Sequence, residues 1–191
     1  MWFWPQSDRT LLVRIKSSPS NINLIVAYSL TAESSDDEIE KFYDDLEEVY
    51  KQCRSDEVNI VMGDFNAKVG CKSNGKTVGP FGLRDKNERG ERLIHWCEEK
   101  RLAVMNTWLD VHPRNRYTWI SPGDRARNQI DYILISKRYR SAVSKVRTYP
   151  GADANSDHEP VVATIKLHLK RIRTTKQIPK FNLNSLKESY R

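Results

Sequence analysis

The sequence predicts an α/β domain rich in strands, on three observations. Short branched-apolar runs bounded by Gly, Pro, Asn and Ser recur along the chain. Two stretches switch to the three-four spacing of an amphipathic helix. Clusters of Asp, Asn and His fall at the ends of apolar strands, where a rigid sheet displays reactive groups. With 191 residues, 38% apolar and 30% charged, there is material for a single packed core.

Leu11–Lys16 and Asn23–Tyr28 are apolar runs separated by Ser17-Ser18-Pro19-Ser20-Asn21, which predicts paired strands. Ser35 followed by Glu38 is a capping box, and Ile39, Phe42, Leu46, Val49 and Cys53 continue it as one helix face. Val58–Met62 is a buried strand that stops at Gly63-Asp64-Phe65-Asn66, and a loop with Gly70, Gly75, Gly79 and Gly82 follows. Leu93, Ile94, Cys97 and Leu102 predict a second helix, and Ala103–Asn106 a strand. Tyr117–Ile120, Ile130–Ile135, Val143–Tyr149 and Val161–Leu169 predict four more strands. Residues 1–8 fit no element, residues 9–170 form the domain, and residues 171–191 are a basic tail in which the apolar period fades.

Charge narrows the function classes. The chain carries +7, and residues 166–191 hold eight basic residues against one acid, so the rest of the chain is neutral. A polyanion such as nucleic acid suits that tail, with Lys170, Arg171 and Arg173 as candidate phosphate contacts. A merely solvated tail is the plain alternative. No run approaches the roughly 20 apolar residues of a membrane helix, so no membrane partner is expected. Cys53, Cys71 and Cys97 are an odd count without a CxxC pair, which argues against a disulfide framework or a zinc site and fits a reducing, intracellular setting. A DNA substrate would add the nucleus.

Four polar positions stand out at strand ends: Tyr28, the Asp64/Asn66 pair, Asp131 within Ile130–Leu134, and Ser156-Asp157-His158. Each has an ordinary reading, as a turn, a cap, a structural ion pair or a core aromatic. Together they suit phosphodiester chemistry. Acids with an amide suit a hard cation such as Mg²⁺ and a water to be activated. An Asp–His pair holds an imidazole charged against a phosphate, and a phenol can hydrogen-bond a phosphate oxygen. Trp119 reads as core or as a stacking platform for a base.

Val61-Met62-Gly63-Asp64-Phe65-Asn66, Gln129–Leu134 and Ser156–His158, in that order, resemble the endonuclease/exonuclease/phosphatase family with its DNase I-like fold. Tyr117-Thr118-Trp119 and Pro150-Gly151-Ala152-Asp153 are most similar to the endonuclease domains of RTE/BovB-type non-LTR retrotransposons. The resemblance implies a Mg²⁺-dependent DNA endonuclease, with Mn²⁺ as a substitute ion. Asp64 would polarise or deprotonate the attacking water, and Asn66 would orient that water or the phosphate. Asp157, with Asp64, would hold the metal. His158, oriented by Asp131, would stabilise the phosphate that Tyr28 contacts.

The family's Asn-bearing and Glu-bearing strands have no counterpart among the residues before Tyr28. The expected fold is therefore an incomplete two-sheet α/β sandwich lacking N-terminal strands, with weak metal binding and impaired catalysis. An exposed sheet edge would invite self-association. A non-catalytic nucleic-acid-binding remnant and an unstable truncated product are the competing readings.

Overall fold

A computed structural model describes residues 1–31, 33–152 and 155–169. Its centre is a six-stranded sheet in the order β1-β2-β3-β4-β8-β5. The strands are β1 (Trp2–Pro5), β2 (Thr10–Ile15), β3 (Ile22–Tyr28), β4 (Val58–Asp64), β5 (Leu102–Val104) and, later in the chain, β8 (Asp131–Ser136). Within this sheet, among the described residues, β3 and β4 are the one parallel strand pair. They are joined by helix α1 (Asp36–Lys51), because a parallel pair needs a crossover. Two short pairs complete the strands: β6 (Trp119–Ile120) with β7 (Arg127–Asn128), and β9 (Val143–Thr148) with β10 (Val161–Ile165).

Each helix begins where its side chains satisfy the free N–H groups of the first turn. Ser35 caps α1, and Glu38 returns a bond to the Ser35 N–H at 2.9 Å. Asn87 caps α2 (Glu88–Glu99), its Oδ1 accepting from the Gly90 N–H at 2.9 Å. The same oxygen accepts from Lys68 N–H, tying the helix to the loop after β4. Gly90 is required there, since a Cβ would lie 1.8 Å from the Lys68 carbonyl oxygen.

Both helices cover one face of the sheet. Ile39, Phe42 and Leu46 of α1 and Leu93, Trp96 and Cys97 of α2 pack with Leu12, Ile25, Val61 and Leu134. The opposite face carries Val58, Ile60, Ile133 and Ile135, and β9 and β10 cover it through Val146, Val161, Ala163 and Ile165. Those two strands stand over β4, β5 and β8. Val26 on β3 and Phe3 on β1, on the same face, stay 39% and 67% exposed.

The structure corrects several boundaries. Residues 2–5 are not an unassigned start: they pair with Leu11–Arg14 and form the edge of the large sheet. Their aromatic side chains are exposed, so apolar periodicity gives no sign of the strand. Leu102 opens β5 instead of ending α2, because Lys100 and Arg101 turn the chain back and Arg101 takes a positive φ of 55°. After Val104 the predicted strand becomes a 3-10 turn, Met105–Thr107. Cys53 lies beyond α1, with its thiol pushed up to about 11 by burial.

Candidate active site

The parallel register of β3 and β4 sets Tyr28 beside Asp64, and the antiparallel register of β4 and β8 sets Asp64 opposite Asp131. Residues paired across strands project from one face. Three side chains from distant parts of the chain therefore form one row at one end of the sheet. The close approach depends on Gly63, whose φ is +144° and where a Cβ would lie 1.8 Å from the Ala27 carbonyl oxygen.

Two like charges opposite one another are unfavourable, and the surroundings show how the row tolerates them. Burial pushes the Asp64 carboxyl up to about 6, and Asp131 and Asp157 add to the rise while the Asn66 N–H and His158 oppose it. Burial raises Asp131 as well, opposed by the Thr118 hydroxyl and by His158. The Asn66 N–H donates to Asp64 Oδ1 at 2.8 Å, and Asn66 Nδ2 donates to Asp64 Oδ2 and to the Ser29 carbonyl, both at 3.2 Å. Asn66 reaches this position with φ 47°, a left-handed conformation that Asn tolerates better than most residues.

His158 arrives from the far end of the chain. Its Nδ1 lies 3.1 Å from Asp131 Oδ2 and 3.3 Å from Oδ1. The placement comes from the segment 118–120, which is paired on both sides. Thr118 N–H donates to the Asn128 carbonyl, Glu159 N–H donates to the Thr118 carbonyl, and Ile120 N–H donates to the Asp157 carbonyl. The buried Thr118 hydroxyl oxygen also accepts from the backbone N–H groups of Ile130 and Asp131, both at 3.0 Å. One short strand thus fixes both members of the Asp–His pair.

Asp64, Asp131 and His158 each offer a ligand atom within 4.8 Å of the others. Asp157 is not in that group: its Oδ2 accepts from the Trp119 indole N–H at 2.8 Å. Trp119 is half-buried and spends its polar edge on that acid. Tyr28 is half-exposed, with the Arg9 guanidinium 5.2 Å from its ring centre. Lys170, Arg171 and Arg173 lie outside the described residues. The sequence reading missed Asn106, whose amide bonds the backbone of β8 beside Asp131. It took Asn106 as the end of a strand, and no local pattern marks its side chain as buried.

A mixed α/β sheet with helices on one face and acids, an amide and an imidazole at its end is the DNase I-like arrangement. The chain belongs to the endonuclease/exonuclease/phosphatase family: a family model described as endonuclease-reverse transcriptase matches residues 22–162. Craniofacial development protein 2 of Bos taurus is 40% identical over 170 residues, covering 89% of this chain but 29% of that protein. The Tragulus javanicus protein of that name is 39% identical, with 30% of its length covered. The chain thus spans under a third of these relatives. Among solved structures, the endonuclease domain of TRAS1, a telomere-specific non-LTR retrotransposon, superposes with a TM-score of 0.61 at 20% identity, over 84% of this chain and 65% of that one. The 3′ phosphatase NExo from Neisseria, bound to a product DNA hairpin, gives a TM-score of 0.58 at 20% identity, over 83% and 65%.

Proposed function

We propose that this chain is a metal-dependent phosphodiesterase of DNA endonuclease type, derived from a retrotransposon endonuclease. The Asp131–His158 pair facing Asp64 across one sheet row is the observation that carries this reading. Asp64, at the partly buried end of the row and held by Asn66, is placed to take the proton of an attacking water. Asn66 keeps both Asp64 oxygens in place. His158, held by Asp131, donates a hydrogen bond to a non-bridging phosphate oxygen and balances the negative charge that builds there. The Tyr28 hydroxyl binds a second phosphate oxygen. Trp119 fixes Asp157 beside His158, and the positive charge of the C-terminal residues favours a polyanionic substrate.

The donor set fits Mg²⁺ or Mn²⁺, since hard carboxylate oxygens suit such ions and Asp64 and Asp131 offer theirs within 4.8 Å of one another. Asp64 and Asp131 would hold the ion, while Asp157, expected as a ligand, is engaged by the Trp119 indole instead. When bound, the ion would polarise a phosphate oxygen as a Lewis acid. With one or two carboxylates and the remaining positions left to water and phosphate, weak affinity is expected.

Supercoiled-plasmid nicking tests the reading. Magnesium-dependent nicking is expected, with a loss of about 10²–10⁴-fold in Asp64→Asn and in His158→Ala. Nicking that survives both substitutions would place the chemistry elsewhere.

A further inference from the structure

The strand carrying Asp131 loses its outer neighbour before it reaches the site. β5 pairs with β8 only from Leu102 opposite Ser136 to Val104 opposite Leu134, and the chain then coils into the 3-10 turn. The Asp131 C=O and the Ile133 N–H face the vacated side, because alternate residues of a strand direct their backbone groups to the same edge. Left unpaired in a buried setting, each group would cost about 1–3 kcal/mol.

Asn106 occupies that place. Its Nδ2 donates to the Asp131 carbonyl at 3.1 Å, and its Oδ1 accepts from the Ile133 N–H at 2.9 Å. The side chain is only 5% exposed. A carboxamide presents one donor edge and one acceptor edge in a single plane, so it can stand in for the peptide group of an absent strand residue. An aliphatic or hydroxyl side chain offers no such pair at that span. Thr118 holds the Asp131 N–H from its own side chain. Both backbone groups of Asp131 are thus fixed by side chains.

We propose that Asn106 is a positioning residue of this site: it sets the peptide of Asp131 and, through the Asp131 carboxylate, the orientation of His158. It acts through Asp131 on the reacting groups. The inference rests on the nuclease reading above, and its test separates the two.

The experiment is a double-substitution cycle on the full chain: unsubstituted, Asn106→Ala, Asp131→Ala and both together. Each is assayed for magnesium-dependent plasmid nicking and by ¹⁵N NMR of the His158 ring. Asn106→Ala is expected to lower kcat about 10- to 100-fold with KM changed less than about threefold, a factor of 10 being about 1.4 kcal/mol. In the Asp131→Ala background the same change should alter kcat less than twofold, because the group it serves is gone. The ring shifts of Asn106→Ala should move toward those of Asp131→Ala, a readout that needs no turnover. Equal losses of kcat in both backgrounds, or unchanged ring shifts where turnover is undetectable, would overturn the proposal and leave Asn106 a purely structural residue. If Asn106→Ala does not fold, hydrogen exchange of the unsubstituted chain decides: Ile133 N–H must be strongly protected, and rapid exchange overturns the proposal. Nicking unaffected by Asp64→Asn and His158→Ala would instead place the chemistry outside this row and fail the site assignment above, while the ring-shift comparison still decides the role of Asn106.

Discussion

Substituting Asp64 by Asn should make the protein more stable at pH 7.5 and less stable at pH 4, in metal-free buffer with EDTA. Burial lifts the Asp64 carboxyl from the ordinary value of 3.8 to about 6. Between those values the folded chain keeps a proton that the unfolded chain has released, so stability falls as pH rises through the window and stays reduced above about pH 6. At about 1.4 kcal/mol per pH unit the full effect is roughly 3 kcal/mol. The carboxyl retains contact with solvent, and screening reduces this to about 1.5 kcal/mol. Asparagine never ionises and keeps an acceptor for the Asn66 N–H. It gives up the acceptor that faces Asn66 Nδ2, which costs about 0.5–1 kcal/mol at every pH. The variant should therefore gain about 1.5 kcal/mol on the unsubstituted chain between pH 4 and pH 7.5, with a change of sign near pH 5. For a chain of this size that is a relative swing in Tm of roughly 3–6 °C. Thermal unfolding followed by circular dichroism in steps from pH 4 to pH 8 measures it. Parallel curves, or an unsubstituted chain that gains on the variant as pH rises, would refute the claim that Asp64 is held in a desolvated, acid-crowded row.

Three further outcomes are expected. Magnesium at 10 mM should raise the Tm of the unsubstituted chain by about 3–5 °C if the dissociation constant is near 1 mM, which corresponds to about 1.4 kcal/mol; a thermal-shift titration should show no such rise in Asp64→Asn. Gly63→Ala should prevent folding or cost well over about 3 kcal/mol, because its Cβ would lie inside the Ala27 carbonyl; expression and circular dichroism report it, and a well-folded variant would contradict the close approach of β3 and β4. The exposed edge strand Trp2–Pro5 and the bare face with Phe3, Ile15 and Val26 should drive self-association; sedimentation equilibrium should show a dimer or larger species that Phe3→Lys weakens, and a monomer at about 100 µM would show that the face is stable in water.

Sequence alone determined the elements whose signals are local. Ser35 and Glu38 sit three residues apart and cap each other, so the start of α1 is written in a single turn. Val58–Met62 carries four apolar residues in five and forms the covered strand expected of it, which runs two residues further, to Asp64. The order of the Asp64, Asp131 and His158 motifs along the chain is likewise a property of sequence, and it led to the family. Tertiary structure decided what pairs with what. Trp2–Pro5 becomes a strand only because β2 offers it an edge, and no periodicity foretells that. The motifs assigned Asp131 to His158, and that pair forms, but they assigned Asp157 to the metal, and it is engaged by Trp119 instead. The short strand at Trp119 turns Asp157 toward an indole and leaves Asp131 against His158. Asn106 was legible as a strand end and is in fact a substitute for one. Register, burial and the raised carboxyl of Asp64 arise from groups far apart in the chain, and only the packed sheet brings them within reach of one another.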